Sequence, residues 1–362
     1  MKNRFFSLGL MSGTSMDGID ASIIESNGID DFRPIYDVFY PYDRHLHYDL
    51  FSIREKINNH NDLNIFEAEL RSMEKKITLK HAEFVNEILK KHKNINLIGF
   101  HGQTIFHDAK QRISKQLGDG NLLSQIVKKQ VVYDFRKNDI QNGGQGAPLA
   151  PIFHSILKKD FQNDSILFLN IGGISNETII YKNNKFYAQD IGPGNCLIDN
   201  WIRINSNQQF DKNGLIAKSG EINKQILNQG LDIFLNSDLY KKKSYDIKDF
   251  DISFARGLSL EDGAATLTEF TAEIISKKIS GKNIYLCGGG RKNQFLIDRI
   301  ESKMNIKLNQ VEKLNLNGDF IESQAFAFLA IRAKLDLPIS FPETTGCEKP
   351  ITGGIIVKNF LE

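Results

Sequence analysis

A glycine- and hydroxyl-rich loop, SGTSMDG at residues 12–18, separates two short apolar segments near the beginning of the 362-residue chain. Glycines let backbone amides approach an anion closely, and the hydroxyls of Thr14 and Ser15 can donate hydrogen bonds to it. Asp17 and Asp20 supply carboxylates that can hold a divalent cation through water. The loop therefore indicates a phosphate site with a cation beside it, although an ordinary hairpin turn would give the same pattern.

Two further segments have a composition suited to ligand binding. HGQT, residues 101–104, directly follows an apolar segment, and polar side chains at the end of a strand commonly face a ligand in α/β folds. NGGQGAPL, residues 142–149, contains three glycines and a proline, so its backbone can lie against a ligand. A capped strand end explains the first segment equally well, and a long surface turn explains the second.

Carboxylates and glycines recur in the second half of the chain. In QDIGPGN, residues 189–195, Asp190 is predicted at a strand end before a helix, where a partly desolvated carboxylate can act as a general base or simply bond within a turn. CGGGRKN, residues 287–293, is typical of a strand, glycine turn and helix that can carry a nucleotide, or of a tight connection. Glu322 stands at the start of an apolar helix, where the helix dipole favours a carboxylate.

Several classes of protein are excluded or disfavoured by what the sequence lacks. It contains neither of the standard glycine-rich nucleotide patterns, and its three cysteines do not have the spacing of zinc or redox sites. A net charge of +2, from 46 basic and 44 acidic residues, argues against a nucleic-acid binder. The longest apolar run, residues 325–331, is far shorter than the roughly 20 residues that span a bilayer. With so few cysteines, we expect a soluble cytoplasmic protein.

The elements that must position these segments alternate between strands and helices. The pattern predicts strands at residues 4–11, 19–26, 38–42, 97–100, 131–135, 166–171 and 178–181, a further strand beginning at 283, and helices at 62–93, 259–280, from 292, and 322–334. Strand, small-residue loop and strand follow one another at both 4–26 and 166–181. This repetition predicts a duplicated α/β fold.

Seven segments in this order resemble the anhydro-N-acetylmuramic acid kinase family over about residues 8–355: LMSGTSMDGIDA, GFHGQTIFH, YDFRKNDIQNGGQGAPLAP, LNIGGISN, DIGPGN, CGGGRKN and ESQAFAFLAIR. The resemblance implies an α/β, two-lobed sugar kinase/Hsp70/actin-like fold, a duplicated ribonuclease H-like fold with a nucleotide cleft between the lobes. We expect residues 1–130 and 340–362 in the N-terminal lobe and 131–339 in the C-terminal lobe. The segment 241–251, and Glu177 where an apolar residue often follows Asn176, depart from the family pattern.

The resemblance also implies roles for individual residues. Asp190 is expected to be the catalytic base and Glu322 an acidic partner near the sugar. ATP is expected to contact Ser12, Gly13, Thr14, Ser15, Met16, Asp17, Gly18, Gly288, Gly289 and Gly290. The sugar is expected to contact His101, Gln103, Gly146, Ala147 and Pro148. Mg²⁺ is expected at Asp17 and Asp20.

The implied reaction has two parts. Water opens the 1,6-anhydro bridge of anhydro-N-acetylmuramic acid, and the released O6 takes the γ-phosphate of ATP, which gives N-acetylmuramic acid 6-phosphate and ADP in peptidoglycan recycling. Two alternatives stay open: an ordinary sugar kinase in which Asp190 deprotonates a free hydroxyl, and an ATP-binding chaperone or cytoskeletal relative. The expected partner is a small anhydro amino sugar, with no nucleic acid and no membrane, and a homodimer is left open.

Overall fold

The computed structural model describes residues 4–13, 15–108, 110–158, 164–242 and 244–358. Thr14, one of the expected ATP contacts, lies outside the described residues. The chain divides into two compact units. Unit 1 comprises Met1–Lys159 and Phe320–Glu362, and unit 2 comprises Asp160–Asp319.

The strands and helices are numbered here along the whole chain. The strands are β1 (Phe5–Ser12), β2 (Gly18–Ser26), β3 (Phe32–Pro41), β4 (Leu97–Asp108), β5 (Ile113–Leu117), β6 (Gln130–Tyr133), β7 (Ile166–Ile171), β8 (Ile174–Ile180), β9 (Phe186–Pro193), β10 (Ile284–Cys287), β11 (Asn309–Gln310) and β12 (Ile355–Ile356). The helices are α1 (Arg44–Lys56), α2 (His60–Ile65), α3 (Glu67–Lys91), α4 (Gly120–Val127), α5 (Lys137–Gln141), α6 (Pro151–Leu157), α7 (Cys196–Asn205), α8 (Leu215–Ser219), α9 (Lys224–Leu235), α10 (Leu260–Lys278), α11 (Gln294–Met304), α12 (Ile321–Lys334) and α13 (Pro342–Thr345).

The sheet of unit 1 has the order β12-β6-β4-β1-β2-β3, and β5 pairs with β4 beside this path. The strands β1, β2 and β3 run antiparallel in sequence, whereas β4 is parallel to both β1 and β6. Nearly every residue of β1 is buried, which explains its continuous apolar sequence, since a strand covered on both faces needs no alternation.

Two predicted elements of unit 1 differ from the structure. The helix predicted at 62–93 is two helices, because the chain leaves helical geometry at Phe66 between α2 and α3. The strand predicted at 97–100 continues to Asp108, so HGQT lies inside β4 rather than beyond its end. Gly102 bends this strand at φ +74°. The segment after it pairs with β5 and no longer with β6, and Gln103 still stands opposite Ser12 of β1.

The unit boundaries also differ from the predicted lobe boundaries. Residues 131–133 form a parallel ladder with β4, and α12 packs on β1, so both belong to unit 1. A boundary at 130/131 would cut through a strand that is hydrogen-bonded into the first sheet. The structure therefore assigns residues 131–159 and 320–339 to unit 1, and Glu322 goes with them.

Unit 2 repeats the strand arrangement of unit 1. Its sheet has the order β11-β10-β7-β8-β9, with β7, β8 and β9 antiparallel in sequence and β10 parallel to β7 and β11. Both sheets thus place an antiparallel three-strand meander beside two parallel strands, in equivalent order. The predicted duplicated α/β fold is confirmed. Trp201 on α7, interpreted from sequence as a core residue, is buried among the helices of this unit.

A pair of glycines lets α12 lie directly on the first sheet. Gly9 on β1 and Gly99 on β4 stand side by side in the ladder. A Cβ atom on Gly9 would lie 1.9 Å from the carbonyl oxygen of Ser323 and 2.5 Å from the amide nitrogen of Ala327. A Cβ on Gly99 would lie 2.2 Å from the carbonyl oxygen of Phe326. The backbone of the helix therefore touches both strands, and no side chain fits between them.

We expect Gly9→Ala to lower the free energy of unfolding by about 2–3 kcal/mol, because the added methyl group forces the helix off the sheet. Urea unfolding followed by circular dichroism measures the change. Gly13→Ala is the matched control, since its nearest neighbour would be 3.8 Å away. Equal stability of the two variants would contradict the close packing described here.

Candidate active site

The loop 12–18 is closed by hydrogen bonds of its own side chains. The Ser12 hydroxyl is buried; it donates to the carbonyl oxygen of Gly18 at 3.1 Å and accepts from the Tyr42 hydroxyl at 2.8 Å. Burial raises the pKa of the Tyr42 phenol, which keeps it protonated as a donor. Met16 has a φ of +56° and a buried side chain. Ser12 and Met16 therefore shape the loop, and what they can offer a ligand is backbone.

The exposed part of this loop carries its polar groups. Ser15 and Asp17 are exposed, and the Ser15 hydroxyl donates to the Asp17 carboxylate at 2.6 Å. From β4, the Gln103 amide nitrogen donates to the carbonyl oxygen of Gly13 at 2.9 Å. The structure thus brings HGQT against the loop, as expected if both line one site. The other amide atom, Gln103 Oε1, is buried without a hydrogen-bond partner among the described residues.

His101 is held as a neutral imidazole. Its Nε2 lies 2.9 Å from a guanidinium nitrogen of Arg136, which can only donate, so Nε2 accepts and Nδ1 carries the proton. That proton is donated to the carbonyl oxygen of Gly102 at 2.8 Å. Burial, and after it the charge of Arg136, hold the pKa of His101 well below its ordinary value of 6.5.

Arg136 connects HGQT to the glycine-rich loop 142–149. It donates to the carbonyl oxygen of Gly146 at 2.6 Å, and the Gly146 amide donates to the buried Asp139 carboxylate at 2.7 Å. The other carboxylate oxygen of Asp139 accepts from the Thr345 hydroxyl at 2.7 Å. Ala147 and Pro148 follow this fixed point, half-buried. The loop has no regular structure, as predicted, but it is anchored rather than free at the surface.

Asp190 lies within β9, three residues before its last residue Pro193, and not at a strand end as predicted. It stands opposite Asn176 of β8 and is 8% exposed. Its Oδ2 accepts from the backbone amide of Tyr245 at 2.9 Å. The helix that follows begins at Cys196. The carboxylate is thus desolvated and held from the main chain, a setting suited to a general base.

Glycine turns of unit 2 meet at one end of its sheet. Gly194 donates to the carbonyl oxygen of Gly173 at 2.9 Å, and Gly288 donates to that of Gly318 at 3.1 Å. A Cβ atom on Gly290 would lie 2.3 Å from the side chain of Ile171 at the end of β7. Gly289 is exposed, and a Cβ atom on it would meet no described residue within 4 Å. The predicted nucleotide turn 288–290 therefore presents open backbone at Gly289.

The fit of a metal rests on few ligands. No group of three or more His, Cys, Asp or Glu side chains that could hold a metal occurs among the described residues. Asp17 is exposed and Asp20 on β2 is half-buried. Two carboxylates suit Mg²⁺, which keeps several waters and relies on phosphate oxygens for the remainder. Glu322, in the first turn of α12, is half-buried in unit 1.

Sequence reasoning missed the residues that support these motifs. Arg136 and Asp139 lie within YDFRKNDIQNGGQGAPLAP, one of the segments that carry the resemblance, and the available signal was their charge next to the glycine-rich loop. Tyr42 and Tyr245 act through long-range contacts that leave no local pattern. No helix in the described part of the chain is long and apolar enough to span a membrane.

Comparison with known proteins gives matches over nearly the whole chain. A family model described as anhydro-N-acetylmuramic acid kinase matches residues 5–359. The anhydro-N-acetylmuramic acid kinase of Pelagibacter ubique is 50% identical over 99% of this chain and 100% of that protein, and the one of Zymomonas mobilis is 38% identical over 96% and 98%. The solved activator of the 2-hydroxyisocaproyl-CoA dehydratase from Clostridium difficile, with bound ADPNP, is 10% identical, covers 92% of this chain and 96% of that one, and has a TM-score of 0.42, too low to carry an argument.

We expect His101 to stay neutral, with its proton on Nδ1, at pH 6.5, where an ordinary histidine is half charged, because burial and Arg136 both disfavour the charged ring. Nitrogen-15 NMR of histidine-labelled protein measures the tautomer and its titration. In Arg136→Met, which removes the cation, titration of His101 should move toward higher pH. A doubly protonated ring at pH 7 in the unaltered protein would contradict the assignment.

Proposed function

We propose that this protein uses ATP to phosphorylate anhydro-N-acetylmuramic acid, because the chain belongs to the anhydro-N-acetylmuramic acid kinase family. In this reaction water opens the 1,6-anhydro bridge, O6 takes the γ-phosphate, and N-acetylmuramic acid 6-phosphate and ADP leave. The reaction belongs to peptidoglycan recycling. The family match over residues 5–359 carries this proposal. The site geometry supports the assignment of roles to individual residues.

Asp190 acts as the general base in this proposal. It takes a proton from the water that attacks C1 of the sugar, on the face opposite the departing O6. Two features support the assignment: the carboxylate is 8% exposed, and the Tyr245 amide fixes one of its oxygens at 2.9 Å. A base held in this way needs little reorganisation before proton transfer. The O6 that departs from C1 is itself the acceptor of the phosphoryl group.

ATP is proposed to contact the loop 12–18 and the turn 288–290 through backbone amides. Among the described residues, a Cβ atom on Gly289 would meet nothing within 4 Å and one on Gly13 would meet only the Ser15 hydroxyl, at 3.8 Å, which leaves room for phosphate or ribose oxygens. Mg²⁺ is proposed to bind through Asp17 and Asp20. When bound, the ion neutralises charge on the transferring phosphoryl group. The backbone amides of the two glycine-rich segments then orient the nucleotide, and the carboxylates of Asp17 and Asp20 hold the ion.

The sugar is proposed to contact His101, Gln103 and residues 146–148, with Glu322 as an acidic partner. The buried Gln103 Oε1 supports this role, because a buried amide oxygen is costly unless a donor reaches it, and a sugar carries hydroxyl and amide donors. The bonds from Arg136 and Asp139 hold the loop 146–148 in one conformation. A preorganised loop reduces the entropy that is lost on binding.

We further propose a cytoplasmic location. Its support is that Cys196, Cys287 and Cys347 are all free thiols, which is usual in a reducing compartment. A homodimer stays a prediction, which sedimentation of the purified protein would test.

Asp190→Asn should lower kcat by about 10²–10⁴-fold, because the amide keeps the shape of the side chain but accepts no proton. In H₂¹⁸O the unaltered enzyme should place the label on C1 of the product and none on phosphate, as mass spectrometry measures. The time course is compared with slow anomeric exchange. Asp238→Asn is the matched control, since its side chain is fully exposed in the same unit.

Three outcomes would contradict the proposal. An ordinary sugar kinase would incorporate no label at C1 beyond anomeric exchange. Label on phosphate would indicate ATP hydrolysis instead of coupled transfer. An active Asp190→Asn enzyme would move the base to another residue, with Glu322 as the next candidate.

Removal of divalent ions by a chelator should abolish turnover and leave the thermal unfolding temperature unchanged, because the proposed ion binds with the nucleotide rather than within the fold. Added Mg²⁺ should restore the rate, and Asp20→Asn should raise the Mg²⁺ concentration that this requires. Turnover that persists in the chelator would refute the metal assignment. Unfolding caused by the chelator would indicate a structural metal.

A further inference from the structure

We propose that Lys278, at the end of α10, is a positioning residue that keeps Asp190 oriented and ionised, acting through Tyr245. This inference rests on the proposed function, in which Asp190 is the base. Lys278 and Tyr245 were not singled out from the sequence. The segment 241–251, which contains Tyr245, is one of the two places where the sequence departs from the family pattern.

The chain around Tyr245 is fixed by its own local bonds. A short 3₁₀ turn at Ile247–Asp249 is closed from both sides: the amide of Lys248 donates to Asp246, and the amide of Asp246 donates to Asp249, each at 2.9 Å. The Asp249 carboxylate also forms an ion pair with the amino group of Lys242 at 2.7 Å. The backbone next to Tyr245 therefore has one preferred conformation. This is required if the Tyr245 amide is to point at Asp190 in one fixed direction.

Tyr245 joins this segment to the base. Its amide donates to Asp190 Oδ2 at 2.9 Å, and its side chain is 7% exposed. The ring lies 5.3 Å from that of Phe250, and the hydroxyl donates to the carbonyl oxygen of Leu239 at 2.9 Å. Movement of this ring would displace the amide of the same residue, so whatever holds the ring also holds the bond to Asp190.

Lys278 holds the ring. Its amino group donates to the Tyr245 hydroxyl at 2.9 Å and to the carbonyl oxygen of Tyr240 at 3.0 Å. Because the Tyr245 hydroxyl gives its proton to Leu239, its oxygen is the acceptor in this bond. The same amino group lies 4.7 Å and 5.2 Å from the ring centres of Tyr240 and Tyr245, within cation–π range. One cation thus contacts two tyrosines, and the amide of one of them, Tyr245, donates to Asp190.

The charge of Lys278 also acts on carboxylates. Burial lowers the pKa of Lys278, whereas the charges of Glu177 and Asp190 raise it. The attraction is mutual, so the ammonium group stabilises negative charge on both carboxylates. Glu177, the other departure from the family pattern, is buried on β8, and burial raises its pKa while Lys278 lowers it.

The other charged or titratable groups around this cluster come from neighbouring elements. Asp249 and Tyr240 act on the Tyr245 phenol, and Tyr187 on β9 lies near Glu177. Burial raises the pKa of the Tyr245 and Tyr187 phenols, which favours their neutral forms near pH 7. Lys278 is a cation that acts on both Glu177 and Asp190.

The test compares Lys278→Met with Lys277→Met. Lys277 is the preceding residue, exposed and paired with Glu273, so its replacement changes the net charge equally without touching the tyrosines. The acidic limb of the kcat profile should move to higher pH by about 0.5–1 unit in Lys278→Met, because loss of the cation lets Asp190 take up a proton sooner. It should stay in place in Lys277→Met and nearly so in Lys278→Arg.

Tyr245→Phe separates orientation from charge. It keeps the ring, the amide and the cation but removes the hydroxyl, so kcat should fall severalfold while the acidic limb stays in place. Lys278→Gln replaces Lys278→Met if the latter does not fold, as circular dichroism reports. An unshifted limb in a folded, uncharged variant would overturn the inference.

Carbon-13 NMR of aspartate-labelled protein gives a readout that does not depend on turnover. The resonance missing in Asp190→Asn identifies Asp190, and its titration midpoint should rise by the same amount in Lys278→Met. A midpoint that rises without movement of the kinetic limb would refute Asp190 as the base and keep the role of Lys278. An unmoved midpoint, with Asp190→Asn inactive, would refute the role of Lys278 alone.

Discussion

The contact between the backbone of α12 and the glycine pair of the first sheet governs the geometry of unit 1. Gly9 and Gly99 lie in the two strands that carry site segments: β1 reaches Ser12 three residues later, and β4 reaches His101 two residues later. Because no side chain separates helix from sheet, the strands have little freedom to slide or tilt. This rigid contact between helix and sheet therefore fixes the positions of the loop 12–18, HGQT and Glu322 relative to one another.

Further polar contacts fix the same helix from its side. The hydroxyls of Ser22 and Ser323 lie 2.6 Å apart, and the amide of Gln324 donates to Asp37 at 3.1 Å. These bonds connect α12 to β2 and β3, the strands that flank the glycine pair on one side. In unit 2, close backbone contacts occur at the turns. The amides of Gly194 and Gly288 donate directly to carbonyl oxygens of other turns. In each unit, close backbone contacts thus hold the segments that are predicted to bind a ligand.

The sequence was sufficient for elements whose signal is local. Residues 166–171 form a strand with the predicted bounds, and the hairpins at 4–26 and 166–181 follow from alternation around small-residue loops. The fold class could be predicted because the same order of elements occurs twice. Where a long-range pairing decides the structure, the local signal fails: β4 extends through HGQT because β5 offers it a partner, and residues 131–133 join unit 1 because β4 does.

The candidate site shows the same division. Asp190 and the glycine turns could be identified from residue type and order, but the groups that orient them could not. The bond from Tyr245 to Asp190 joins residues 55 positions apart through a main-chain donor, and every residue except proline has one. Arg136 lies within a segment that carries the family resemblance. Its bond to His101 could not be predicted, because that bond depends on the parallel pairing of β4 and β6.

The main-chain origin of the donor to Asp190 has an evolutionary consequence. A peptide N–H is the same for every residue but proline, so the donor itself requires only that the chain follow the same path. Tyr245 additionally needs its side chain, because Leu239 and Lys278 hold its hydroxyl. Positions of the segment 241–251 that touch neither this side chain nor the 3₁₀ turn can therefore change in evolution while the bond to Asp190 persists.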